Sequence, residues 1–384
     1  MWRHVAANGF TFLIILLALG FGVVTWGQSQ YSAEGPLETA ICLQVAPGSN
    51  MSRVSDTLEA QGAIANKTIF RLGADYSDKA PQLKAGSFLV EPGASMAEIV
   101  DVVTGDGVST CGTRVRYIIA VNGLEKRVDE LNPETQQFER VAEFAPSADE
   151  EPADYREAVA DVATQIDVTV GEGTTAWQVV NGLNASSLFD GEVPGVPEEG
   201  SLAPGGFEIR PGTDRNAFLA QLSALQSERL TAAWENRAED AAVESPEEAM
   251  ILASIIEKET SVPEERGVVA SVFTNRLRQG MRLQTDPTVI YGVTRGEGVL
   301  GRGLRRSELR AETPWNTYVI EGLPPTPIAN PGAAAIEAAL HPDDTDYIFF
   351  VADGTGGHAF AVTLDEHNAN VARWREIEAE RANQ

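Results

Sequence analysis

Apolar positions divide this chain into one continuous run at its start and periodic segments after it. Phe10 to Trp26 is almost unbroken apolar, and no formally charged residue stands between Arg3 and Glu34. The run falls slightly short of the roughly 20 residues that span a bilayer, and Val5–Ala7 extend it. A cleaved signal peptide would have an apolar core of about 7–15 residues ending in a small-residue site. This run is longer, and Gly27-Gln28-Ser29-Gln30 offers no such site. The pattern predicts a cytoplasmic stub and transmembrane signal anchor over residues 1–32, with Arg3 the nearby cation that keeps the N-terminus inside.

After the anchor, period-2 and period-3.6 segments alternate. A strand is expected at Thr39–Val45, helices at Ser52–Gln61 and at Lys67–Gly73 with Asn66 as N-cap, a strand at Gly86–Val90 and a helix from Ser95 to Val103. Arg114 to Val121 reads as a strand. Asn132 to Gln165 is acid-rich with turns at Pro146-Ser147 and Glu151-Pro152, which predicts a partly exposed or flexible insertion. Folded pattern resumes with Asp167–Val170, the helical Thr174–Asn184 and a long helix from Asn216 to Glu235.

The next helix carries the candidate chemistry. Ser245-Pro246-Glu247-Glu248 opens it as a capping box, with Ser at N-cap, Pro at N1 and Glu at N3. Leu252, Ile255, Ile256 and Glu259 then fall at i, i+3, i+4 and i+7, one face of the helix. A stripe that should end in an aliphatic residue ends in a carboxyl. Burial among Ile and Leu penalises the ionised form, so its pKa should rise, as a general acid requires. Glu257 is rotated by roughly 200° onto another face, where its loss should resemble a surface change. The competing reading is an amphipathic helix whose last turn emerges into water.

Ser261 to Glu264 reads as a second capping box, with a helix running to Gly280 and burying Val269, Val272, Phe273 and Leu277. The run Met281 to Gly292 is dense in polar side chains able to contact sugars, and Asp286-Pro287 restarts a short helix as N-cap and N1. Tyr347–Val351 and His358–Thr363 form a hairpin around Asp353-Gly354-Thr355-Gly356-Gly357, and Thr363 with Glu366 caps a last helix. Helices and strands mix without strict βαβ alternation, so the fold class is α+β.

These motifs resemble a known family. EKET at Glu257–Thr260, ASVFTNRL at 270–277 and GMRLQTDPTVIYG at 280–292 look like the catalytic region of the MltG/YceG-type endolytic murein transglycosylases. The likeness continues, in order, through TPWNTY at 313–318, GLPPTPIANPG at 322–332 and YIFFVADGTGGHAF at 347–360. It implies that Glu259, second Glu of EKET, is the catalytic acid. It also implies a glycan groove lined by polar residues of the matching motifs: Asn275, Gln284, Asp286, Thr288, Tyr318 and Asn330. Asp286 has two readings, a helix N-cap or a second carboxylate that would make the chain a hydrolytic muramidase. Glu199 to Phe207 occupies the place of the family's aromatic-rich EG…PDT(Y/W) segment, but Gly205-Gly206 replaces Asp-Thr, so no residue is carried across. The strand–helix–helix–strand order after the anchor resembles the LysM-like module of the family, which implies glycan-strand binding; a spacing or packing domain is the alternative.

The expected organisation is then 1–32 anchor, 33–112 LysM-like module, 113–205 intermediate domain with the acidic insertion, and 206–384 mixed α/β catalytic domain. With 29 Lys and Arg against 56 Asp and Glu, the net charge is −27, which argues against a nucleic-acid partner. Cys42 and Cys111 could form a disulfide in an oxidising compartment or remain two buried thiols; Cα atoms more than about 7 Å apart would exclude the bridge. Two Cys and four scattered His show no metal-ligand spacing, and no cofactor is expected. The function implied is endolytic cleavage of the β-1,4 bond in nascent peptidoglycan, leaving 1,6-anhydro ends on the glycan, by a catalytic domain outside the inner membrane. Partners would be glycan strands, the membrane and peptidoglycan synthases. A non-catalytic glycan-binding scaffold is the rival class, and the intact EKET motif disfavours it.

Overall fold

The computed structural model describes residues 2–105, 109–132, 135–144, 152–161 and 164–382; the side chains of residues 2–11, 13 and 382 lie outside that description. The chain forms two compact units, Met1–Arg116 with Lys126–Ile166, and Tyr117–Glu125 with Asp167–Gln384.

The first unit begins with helix α1 (Trp2–Ser32). Among the described residues no helix is long and apolar enough to cross a membrane, and part of the expected anchor consists of side chains outside the description. Strand β1 (Ile41–Val45), helices α2 (Met51–Ala60) and α3 (Lys67–Tyr76), and strand β2 (Gly86–Val90) follow in the expected order. β1 and β2 pair antiparallel, Ile41 opposite Val90 and Val45 opposite Gly86. Asn66 caps α3, its Oδ1 accepting from Thr68 N at 2.9 Å and Ile69 N at 3.1 Å. Leu43, Leu58, Phe70, Phe88 and Val100 fill the core, the last from helix α4 (Met96–Thr104). α1 is fixed to this core at Gly73, where any Cβ would collide with the Tyr31 ring. Cys42 and Cys111 are bonded, with Cα atoms 5.8 Å apart, which resolves the alternative left open by their spacing.

Strands β3 (Thr113–Ala120) and β4 (Gly123–Asn132) lead on. The described residues of the acid-rich stretch include a strand and a helix, and the strand is largely exposed, as expected of a partly exposed insertion. β5 (Gln137–Phe144) pairs antiparallel with β4, and helix α5 (Ala153–Ala160) returns over it. The reason is a small apolar set that charge density concealed. Tyr155 is fully buried, with Phe144 edge-on at 6.1 Å and Lys126 Nζ 5.0 Å from its ring. Residues 133–134, 145–151 and 162–163 of that expectation, including both predicted turns except Pro152, lie outside the described residues.

The second unit contains β6 (Gln165–Val170), which lies between β3 and a later strand, and helix α6 (Ala176–Asn184). Short segments β7 (Phe189–Asp190), β8 (Gly205–Ile209) and β9 (Thr213–Asp214) lead to helix α7 (Arg215–Glu235); β8 is the later neighbour of β6. Helix α8 (Pro246–Glu259) forms the centre. Helices α9 (Arg266–Arg278), α10 (Asp286–Thr294) and α11 (Ala333–Leu340) surround it, and β10 (Phe349–Ala352), β11 (His358–Ala361) and α12 (Leu364–Ala382) complete the chain. Leu252, Ala253, Ile255 and Ile256 of α8 pack with Val269, Phe273, Leu283, Ile336 and Leu340. A mixed α+β architecture follows, with the β1–β2 and β10–β11 pairs antiparallel.

Two expected caps differ. Ser245 accepts from Glu248 N at 3.2 Å, but Glu248 returns to Glu244 N at 2.7 Å, one residue beyond a closed box. The box expected at Ser261 does not form. Thr260 serves the bend instead, accepting from Val262 N at 3.0 Å, and a 3-10 turn at Pro263–Glu265 precedes α9. Gly280 ends α9 at φ +66°, a left-handed position that favours glycine.

The disulfide closes a loop of 69 residues, which in the chain-entropy model contributes about 4 kcal/mol. Replacing both cysteines by Ser should lower the unfolding midpoint of the first unit by several degrees, measured by calorimetry, and spare the second unit.

Candidate active site

Glu259 is the last residue of α8, and it sits where a core helix meets a polar loop. Leu252, Ile255 and Ile256 below it are fully buried. Its carboxyl is pushed above the ordinary glutamate value, chiefly by burial. Asp286 adds to the rise, while the Thr285 hydroxyl, His358 and Arg276 oppose it. Thr285 Oγ1 donates to Glu259 Oε1 in a short hydrogen bond. In the neutral acid, the other carboxyl oxygen can carry the proton toward an incoming acceptor.

The loop that delivers Thr285 is strained. Gln284 takes φ +51°, a conformation a non-glycine residue holds at a cost of order 1 kcal/mol. Its amide donates to Thr317 O at 3.1 Å, and Thr285 N donates to Thr317 Oγ1 at 3.1 Å. Thr288 completes the knot, its hydroxyl 2.8 Å from both Thr285 O and Thr317 Oγ1. Arg276 lies buried beneath, donating from Nε to Ile348 O at 2.7 Å and from Nη1 to Leu283 O at 2.5 Å. It ties β10 to the catalytic loop. On β11, His358 Nδ1 lies 2.7 Å from Glu265 Oε2, and its amide donates to Glu265 Oε1 at 2.8 Å.

The residues expected to line a groove separate into two groups. Gln284 and Asp286 are exposed on either side of Thr285, and Tyr318 is half-buried against Asp286. Tyr318 OH donates to Asp286 Oδ1 at 2.7 Å, and burial with that acceptor raises the phenol's pKa. Asp286 is therefore not the N-cap. α10 starts at Asp286 itself, after a Thr285 that makes no cap bond because its hydroxyl faces Glu259. Asn275, Thr288 and Asn330 are spent inside. Asn275 Nδ2 donates to Thr345 O at 2.7 Å and Tyr347 O at 3.0 Å. Asn330, fully buried, donates to Thr174 O at 3.0 Å and accepts from Leu202 N at 3.0 Å. These three brace loops.

Glu257 is not a surface residue either. Its Oε2 accepts from Gly332 N at 3.0 Å, the N-cap of α11, where the helix dipole favours a carboxylate. Burial nevertheless raises its pKa, and nearby Glu172 adds to the rise. The rotation around α8 was right, but that other face meets α11 instead of water.

A second polar group escaped sequence reasoning. Glu199, whose pKa burial raises, accepts from Ala176 N at 2.8 Å and bonds Tyr291, whose phenol is pushed up to about 12. Lys258 approaches it from α8, its Nζ donating to Gly173 O at 3.1 Å and its pKa lowered by burial. The Glu199-Gly200 pair was the available signal, set aside because the residues after it diverge. Thr285 and Arg276 lay within quoted motifs, but only the fold shows that they face Glu259. Among the described residues no group of three or more His, Cys, Asp or Glu could hold a metal ion. A carboxyl whose neutral form is favoured by burial, beside polar side chains, can deliver a proton to a bound oxygen.

A family model described as the YceG-like family matches residues 43–373. An endolytic murein transglycosylase of Bacillus subtilis (strain 168) is 27% identical over 348 residues, spanning 90% of this chain and 88% of that protein. One of the same name from Streptococcus pneumoniae serotype 2 is 24% identical, spanning 96% of this chain but 65% of that protein. A solved structure, the yceG-like protein lmo1499 of Listeria monocytogenes, aligns at 25% identity over 86% of this chain and 99% of its own, with a TM-score of 0.45.

Glu259→Gln should cut turnover by about a hundredfold or more, the scale of a lost general acid. A raised folded pKa makes the ionised group a liability that grows as pH rises through that pKa and vanishes below the ordinary glutamate value. The variant should therefore melt at or above the wild-type temperature at pH 7, and the difference should disappear toward pH 4. Glu257→Ala should do the reverse, costing about 1–2 kcal/mol through the lost cap while cleavage persists. Parallel melting curves and glycan-release assays check both.

Proposed function

Since the chain belongs to the YceG-like family, matched over residues 43–373, we propose that it is a peptidoglycan lytic transglycosylase that cuts within glycan strands, as its Bacillus and Streptococcus relatives are named. The observation that carries this reading is the largely desolvated Glu259 carboxyl, held by Thr285 at the end of an apolar helix, with the exposed Gln284 and Asp286 and the half-buried Tyr318 nearby.

In this reading the Glu259 carboxyl protonates the oxygen of the β-1,4 bond between N-acetylmuramic acid and N-acetylglucosamine, and the C1–O bond breaks. The 2-acetamido oxygen of the muramic residue supports C1 as positive charge develops. The C6 hydroxyl of the same sugar then bonds to C1 and returns its proton to Glu259. No water is consumed, and the product carries a 1,6-anhydro end. Tyr318 and Gln284 would contact the sugar directly, while Asn275, Thr288 and Asn330 hold the loops that present them. Asp286 favours a second reading, since an exposed carboxylate beside the acid could activate water and yield a hydrolytic muramidase.

α1 would serve as a single-pass anchor in the inner membrane, with the chain after residue 32 outside it. Phe12 and the large apolar side chains from Ile14 to Trp26 are exposed, a surface that lipid suits better than water. The β1–β2 module, with its LysM-like order, would hold the glycan strand near the membrane, where peptidoglycan synthases extend it.

Purified glycan strands digested with the protein should give ends that mass spectrometry identifies as 1,6-anhydromuramic acid. Plain reducing ends would favour the hydrolase and make Asp286 the partner carboxylate. Removing residues 1–32 should give a soluble protein that still cuts glycan; an insoluble or misfolded truncation would count against the anchor.

A further inference from the structure

Lys258 stands between Glu257 and Glu259 in the sequence and about 100° around α8 from each. It lines a cleft of about 320 Å³ in the second unit, with Pro287 and Ile290 of α10 and with Val299 and Arg302 of the loop that follows. The cleft adjoins the acid along the chain, because Lys258 precedes Glu259 and Pro287 follows Asp286. We propose that this cleft binds a carboxylate of the peptide that muramic acid carries on its lactyl group. The proposal rests on the reading that the chain acts on peptidoglycan, and names a second part of that substrate.

The charges run against the rest of the chain. Among 56 acidic and 29 basic residues overall, the lining takes two cations, Lys258 and Arg302, and no Asp or Glu. Arg302 is exposed at the rim and already grips Glu308, Nη1 to Oε2 at 2.9 Å and Nη2 to Oε1 at 2.6 Å. Lys258 is half-buried and differently placed. Among the described residues its ammonium makes one hydrogen bond, to Gly173 O at 3.1 Å, and no ion pair. Glu257 and Glu199 act on it only through space. An ammonium carries three N–H donors, so two remain for an incoming acceptor. Burial works against the charged form, and a carboxylate arriving in the cleft would favour it.

The rim supplies an independent feature that suits a peptide. Gly298 at φ +114° and Gly301 at φ +67° take left-handed turns there, and a Cβ at either would meet nothing within 4 Å. Among the described residues, the amides of Gly298, Val299, Leu300 and Gly301 donate to no protein group. Unspent backbone N–H groups at such turns are a recurrent means of holding carboxylates and peptide carbonyls. The walls between rim and lysine are apolar, with Pro287, Ile290, Val299, Leu300 and Ile328 suited to an alanyl methyl group. A carboxylate on a short peptide thus finds a cation with spare donors, backbone donors and an apolar wall in one cleft.

Calorimetric titration of the full-length protein in detergent micelles tests this with two probes, N-acetylmuramyl-L-alanyl-D-glutamic acid and its diamide. The acid should bind saturably at one site, and the diamide about tenfold more weakly. Lys258→Gln keeps a donor for Gly173 O but loses the charge, so it should draw the two probes level. Arg302→Gln, at the exposed rim, should weaken the acid severalfold and report on the cleft should Lys258→Gln fail to fold. Cleavage kinetics separate the proposal from the reading it rests on. Wild type should cut peptide-bearing strands with a lower KM than strands stripped by an amidase, and Lys258→Gln should erase that preference. If wild type cuts neither strand, the cleavage reading fails and the titration alone decides the cleft. Absence of saturable binding, equal affinity for acid and diamide, or an unchanged preference in folded Lys258→Gln would overturn the proposal.

Discussion

A carboxyl group at the end of a helix that is otherwise core is the constraint around which the second unit is arranged. Leu252, Ile255 and Ile256 need burial, so α8 must run through the middle of α7, α9, α10 and α11. Glu259 follows them to the edge of that core and loses water on the way. Burial then favours the neutral acid, and the largest compensation is the Thr285 hydroxyl, with His358 and Arg276 adding to it. Placing that hydroxyl requires a left-handed Gln284 and a knot of three threonines, each bonded to another. Local strain and buried polar groups concentrate there because the site demands both orientation and a raised pKa.

Glu257 shows how the same helix sustains two carboxyls in different roles. Two residues apart, they face different elements. One accepts a backbone amide at the start of α11 and keeps that helix docked; the other accepts a side-chain hydroxyl that leaves an oxygen free. The amide is part of the scaffold. The hydroxyl belongs to a loop that also presents Gln284 and Asp286 to solvent.

Much of this was legible from spacing. The βααβ order, the caps at Asn66 and Ser245, the C-terminal hairpin and the apolar face ending in Glu259 all follow from local periodicity and side-chain chemistry. What spacing could not supply was the identity of the opposite surface. Glu257 reads as exposed until α11, some 75 residues on, arrives against it. Asp286-Pro287 reads as a helix cap until Tyr318 claims the carboxylate. The acid-rich stretch reads as an insertion because its charge hides Phe144 and Tyr155, which suffice to order β5 and α5. Asn275 and Asn330 read as sugar contacts because a polar residue in a motif looks the same whether it meets ligand or backbone.

The central claim is that Glu259 titrates above an ordinary glutamate because its surroundings deny it water. Carbon-13 NMR of protein labelled at glutamate side-chain carboxyls, with the Glu259 signal assigned by its absence in Glu259→Gln, measures this directly. The account predicts a midpoint above the ordinary glutamate value of 4.5, moving down in Asp286→Asn, because Asp286 is one of the groups that raise it. A midpoint at or below 4.5, or one that rises in Asp286→Asn, would contradict it.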